Sequence, residues 1–102
     1  MMNKIFIKIH ESYRKVVALC DSEVIGRVFE EGKKQLDVRE NFYNGREIDS
    51  DEAVELMKDL AMEDATFNIV GKNSVDAAIK AKLIRKEDYL EVQGIPFTLI
   101  LV

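Results

Sequence analysis

Ala65-Thr66-Phe67-Asn68-Ile69-Val70-Gly71-Lys72-Asn73-Ser74-Val75-Asp76-Ala77-Ala78-Ile79-Lys80-Ala81-Lys82-Leu83 passes from strand to helix through a short polar turn. Thr66 to Val70 are rich in β-branched and aromatic residues, as a buried strand requires. Gly71-Lys72-Asn73-Ser74 is the turn. Val75, Ala78, Ile79 and Leu83 then recur at helical spacing, which predicts an amphipathic helix over Ser74 to Leu83.

A glycine turn between a strand and a helix can hold an anion, because the unbonded N–H groups at the helix start point outward with the positive end of the dipole. Gly71, Lys72, Asn73 and Ser74 are therefore the candidate anion-binding residues. They do not form a Walker motif, since Thr66 stands where its first glycine belongs and Asn73 follows the lysine in place of Ser or Thr. The plainer alternative is a capped helix, with Asn73 or Ser74 as N-cap and Asp76 answering from the first turn, where its charge also repels a bound anion.

Upstream, Ile5, Ile7 and Ile9 alternate with Lys4, Phe6, Lys8 and His10, the period of a strand with one face on the core and Phe6 on the other. The run Val16 to Cys20 is continuously apolar, which predicts a central strand covered on both sides. A turn at Asp21 to Gly26 and a hairpin turning at Glu31-Gly32-Lys33 follow, then an aromatic turn, Phe42-Tyr43-Asn44-Gly45, whose Asn and Gly tolerate positive φ. Asp49 or Ser50 caps a helix presenting Ala53, Val54, Met57, Leu60 and Ala61 on one face, with Asp51 and Glu52 in its first turn. Beyond the second helix, Tyr89 to Gln93 and Phe97 to Val102 read as strands joined through Gly94-Ile95-Pro96. The order β-β-(β-β)-α-β-α-β-β predicts an α+β two-layer sandwich, one mixed sheet with two main helices on one face, and a βαβ crossover around the second helix.

The 102 residues, 47% hydrophobic and 33% charged, are those of one globular domain, large enough to bury roughly two-thirds of its unfolded surface. The single Cys20 excludes an intrachain disulfide, and the expected location is cytoplasmic. The start reads as a strand rather than a signal peptide, because Lys8 and His10 interrupt its apolar run. No apolar run approaches the ~20 residues of a membrane helix.

A net charge of −4 argues against binding nucleic acid over the whole surface. Charge is nonetheless unevenly shared. Asp49, Asp51, Glu52, Glu55, Asp59, Glu63 and Asp64 crowd the first helix, whereas Lys72, Lys80, Lys82, Arg85 and Lys86 crowd the second and form a candidate phosphate-facing patch. The alternative is two neighbouring helices that complement each other's charge, since the patch has no interleaved aromatic residue.

Little else carries chemistry. Cys20 closes an apolar strand and reads as a buried structural thiol, and His10, at a strand end, as an exposed surface histidine. One His and one Cys leave no zinc set with the usual spacing. Asp49-Ser50-Asp51 imitates a calcium loop but has Val54 where glycine and Leu60 where glutamate are needed. No metal or cofactor is expected.

Val17-Ala18-Leu19-Cys20-Asp21, Ile25-Gly26-Arg27, Phe29-Glu30-Glu31-Gly32, Phe42-Tyr43-Asn44-Gly45, Asn68-Ile69-Val70-Gly71 and Gly94-Ile95-Pro96 together, by order and spacing, resemble the archaeal family known as domain of unknown function 424. The resemblance implies an archaeal cytoplasmic protein with an α+β two-layer fold, and it brings no activity or catalytic residue. Lys82 departs from the pattern, standing where a glycine would close the second helix.

The resulting expectation is a non-catalytic binding module rather than an enzyme, with RNA or a protein of the translation machinery as candidate partner. The alternatives are an enzyme or ligand-binding protein using the Gly71 to Ser74 turn, and a structural subunit that forms a homo-oligomer through a sheet edge or apolar face.

Overall fold

The computed structural model describes residues 4–101. Val102, expected in the last strand, lies outside them, as do Met1, Met2 and Asn3 of the start. Ile5–His10 (β1) and Val16–Asp21 (β2) pair antiparallel with Ile7 opposite Leu19. A 3-10 turn, Ser22–Val24, leads to the hairpin Val28–Glu31 (β3) and Lys34–Asp37 (β4). A short helix, Glu40–Tyr43 (α1), and Arg46–Ile48 (β5) precede the acidic helix Ser50–Met62 (α2). Thr66–Val70 (β6), Lys72–Lys80 (α3), Leu90–Val92 (β7) and Ile95–Ile100 (β8) complete the described chain.

The main sheet has the order β5-β1-β2-β6-β8-β7. β2 and β6 run parallel at its centre, and the other adjacent strands are antiparallel, so the sheet is mixed as expected. The crossover between the two parallel neighbours carries α2. Around α3 the arrangement is split: β7 runs in the direction of β6, but β8 turns back and inserts between them.

α2 and α3 lie on one face, over Ile5, Ile7, Val17, Leu19, Phe67 and Ile69. Phe67, Leu19 and Met57 are buried there, and each such side chain contributes roughly 1.5–3 kcal/mol when fully removed from water. The opposite face is where the structure departs most from the sequence reading. The hairpin does not join the main sheet; it forms a separate two-stranded sheet whose Phe29 and Leu36 pack with Val38 over Ala18, Cys20, Val70 and Val92. Its base is held by Gly26 N–H to Val38 O at 2.7 Å and Val38 N–H to Arg27 O at 2.9 Å. Covering from both sides explains why Val17 to Cys20 are uninterruptedly apolar and fully buried.

Local chemistry sets the ends of the elements. Asp49 is the N-cap of α2, its Oδ1 accepting from the Glu52 N–H at 2.8 Å. α3 ends at Lys80, short of the expected Leu83, because Lys82 turns left-handed (φ 64°). The Leu83 N–H then bonds the Ala78 carbonyl, and the Lys82 N–H the Ile79 carbonyl, both at 3.0 Å, which is the glycine-type helix end built on a lysine. The last hairpin is tighter than expected: Gln93 and Gly94 alone make the turn, both with positive φ, so Ile95 and Pro96 belong to β8. Gly45 is not left-handed; a Cβ there would collide with the Ile7 carbonyl, so close approach to β1 is what requires it. Among the described residues no helix is long and apolar enough to cross a membrane.

Candidate functional site

Parallel pairing of β2 with β6, Cys20 opposite Val70, brings the next residues, Asp21 and Gly71, together at the carboxyl ends of the two strands. α3 begins at that point with Gly71, rather than Asn73 or Ser74, as N-cap. The Asp21 carboxylate lies across the helix start. Its Oδ2 accepts from the Asn73 N–H at 3.0 Å, and its Oδ1 accepts from the Ser74 N–H and the Ser74 hydroxyl, both at 2.8 Å. Asp21 and Ser74 are buried, so this charge is satisfied by donors that water would otherwise serve. An external anion at Gly71 to Ser74 would have to displace that carboxylate from both backbone groups. Asp76 does not answer the cap; it pairs with Lys80 one turn on, at 3.2 Å.

Gly71 makes the contact sterically feasible. Its backbone, at φ 109° and ψ 156°, lies in a region essentially reserved for glycine, and an added Cβ would fall on the Asp21 carboxyl group, 2.6 Å from Oδ1. The Gly71 N–H meanwhile bonds the Pro96 carbonyl at 2.8 Å, tying β6 to β8.

The basic residues are sorted by the fold. Lys80 is neutralised by Asp76, and Arg85 by Asp88 at 3.4 Å. Lys72 and Lys86 carry no ion pair among the described residues, and they meet in one hollow of about 260 Å³ floored by Val75, Ile79 and Pro96. Tyr89 lines the same hollow, and so does Asp76. The aromatic residue that the linear pattern lacked is thus supplied from beyond the helix. Lys82 is exposed at the left-handed turn after α3.

The sequence of residues 9–102 matches the family model for a protein of unknown function, DUF424. The chain belongs to this family. It is also similar to an uncharacterized conserved protein from Methanopyrus kandleri whose crystal structure superposes with a TM-score of 0.86 at 23% identity, covering 95% of this chain and 90% of that one. That likeness is one of fold. Comparison with curated proteins yields no match.

In this family member the face opposite the helices holds a second concavity, of about 420 Å³, lined by His10, Asp37, Arg39, Asn41, Phe42, Tyr43 and Asn68. His10 is not a free surface residue. It is half-buried, stacked on Phe42 at 4.5 Å and 15°, with Nε2 2.8 Å from the Phe42 carbonyl. Nearby, Cys20 and Tyr43 are enclosed beneath the hairpin. Burial, and then the Asp21 charge, pushes the Cys20 thiol up to about 12, so it is an inert thiol rather than a nucleophile. Burial, with smaller contributions from Cys20 and Asp37, pushes the Tyr43 hydroxyl up to about 12 as well. Among the described residues no three or more His, Cys, Asp or Glu side chains are grouped so as to hold a metal ion.

Proposed function

We propose that this chain is a non-catalytic module that binds single-stranded RNA through the hollow between Lys72, Lys86 and Tyr89. The meeting of two unpaired ammonium groups with an aromatic ring supports the reading most directly. Backbone phosphates are attracted by the lysines and a base stacks on the ring, a combination that tolerates any sequence. Lys82, without an ion pair among the described residues, extends the positive edge. The acidic remainder of the surface, at a net charge of −4, opposes binding and makes it weak.

Fluorescence anisotropy with a labelled single-stranded RNA at several salt concentrations tests this. Neutralising two phosphates predicts a log–log salt slope of about −1.4, from ~0.7 per phosphate on a single strand. Lys72→Glu with Lys86→Glu should abolish binding, and Tyr89→Ala should weaken it by about 1–3 kcal/mol. Binding that persists in the double lysine variant and at high salt would refute the reading.

A further inference from the structure

The groove on the face opposite α2 and α3 shares no lining residue with the lysine hollow. Asn68 stands in the middle of β6, in the position of a strand where Asn is disfavoured. Its neighbours in the sequence, Phe67 and Ile69, are buried under the helices, so alternation turns Asn68 to the opposite face beside Ala18 and Leu99. The hairpin packs over Ala18, Cys20 and Val70 of that face. Asn68 lines the groove half-buried, and its amide, open to solvent, makes no hydrogen bond among the described residues. Its donor and acceptor are therefore free to meet a ligand in the groove.

The other walls define what that partner offers. A carbonyl oxygen only accepts, so the His10 Nε2 facing the Phe42 carbonyl carries the hydrogen, and in the uncharged ring Nδ1 is left as an acceptor. Arg39 is held by its Nε to Asp37 Oδ2 at 3.2 Å, and among the described residues neither Nη has a partner. That leaves the Nη edge open to two oxygens of a phosphate, against the repulsion of the Asp37 carboxylate that lines the same groove. The His10–Phe42 stack adds an aromatic tier to the same wall. A lone inorganic anion leaves the amide and the aromatic tier unused, and an apolar ligand leaves all the polar groups unpaired.

We propose that this groove binds one unpaired nucleotide, with the base edge on the Asn68 amide and the phosphate on Arg39. An amide presents a donor and an acceptor side by side, which matches the paired acceptor and donor on a base edge. The nucleotide can be free or can belong to a single strand.

The test is an NMR titration of the isotope-labelled full chain with AMP, with UMP and with a short single-stranded RNA, for the unmutated protein and for Asn68→Val. Val favours the strand, so the variant keeps the fold, which its backbone spectrum checks. Saturable shifts of the Asn68 side-chain amide and the His10 ring are expected, with at least a tenfold loss of affinity in Asn68→Val and no loss in Lys72→Glu/Lys86→Glu. Shifts at the same groups with mononucleotide and oligomer alike assign the groove to a free nucleotide; tighter binding of the oligomer assigns it to a strand. No saturable shift at Asn68 and His10 with any probe, or shifts that survive Asn68→Val, would overturn the proposal. Shifts confined to Lys72, Lys86 and Tyr89 would overturn it while leaving the lysine hollow standing.

Discussion

Gly71 directly follows a buried strand and precedes a helix, a place where a Cβ interferes. Its φ of 109° and the Asp21 carboxyl group against its α-carbon give two reasons at once. Gly71→Ala should therefore lower stability by at least about 2 kcal/mol in urea denaturation, since the strain of a glycine-only conformation is about 1–3 kcal/mol before the carboxylate is pushed aside. A change below about 0.5 kcal/mol would show that the backbone relaxes freely there. Asp21 was not legible as the cap, because it lies 53 positions from Ser74 and its only mark is to be the polar residue that ends an apolar run. Only parallel pairing of β2 and β6 brings the two together. His10 escaped for the same reason, its stacking partner Phe42 coming from another part of the chain.

At the scale of elements, α2 follows its local signals closely: Asp49 caps it, and Ala53, Met57 and Leu60 are buried as their spacing predicts. α3 is offset at both ends. Its cap comes from a distant strand, which starts the helix at Lys72, and its end is a left-handed lysine, which stops it at Lys80. α2 closes in the same way, with Asp64 at φ 59° and the Ala65 N–H on the Leu60 carbonyl. Holding a residue with a Cβ in this conformation costs roughly 1 kcal/mol. Lys82→Gly should accordingly raise stability by about 0.5–1 kcal/mol in thermal or urea melts, and a loss of stability would mean that the lysine stem packs against the fold. The hairpin is legible in the sequence but its place on the far face of the main sheet is not, because alternation in a short strand shows that one face is buried and not which surface buries it.

Across the whole molecule, the second core beneath the hairpin should be visible in the pH dependence of stability. Cys20 and Tyr43 ionise near their ordinary values of 9.0 and 10.0 in the unfolded chain but only near 12 in the fold. Between those limits the native state holds protons that the unfolded state has released. Stability is therefore undiminished below about pH 9 and falls as pH rises from there, by ~1.4 kcal/mol per pH unit for each group released. Between pH 9 and 10 the thiol dominates, so Cys20→Ala should flatten the decline in that window in denaturant titrations. An identical slope in both proteins would place the thiol in contact with water.

The helix start at the centre of the fold bears the main claim, that the anion position of α3 is filled by the chain's own Asp21 and function lies on the surfaces around it. Titrating the isotope-labelled protein with millimolar inorganic phosphate and following the Asn73 and Ser74 amide signals tests it directly. Both N–H groups are bonded to a buried carboxylate, so their resonances should stay in place and remain protected from exchange, even if the exposed Lys72 responds. Saturable movement of both amide signals would show an external anion taking the place of Asp21 and would contradict the account.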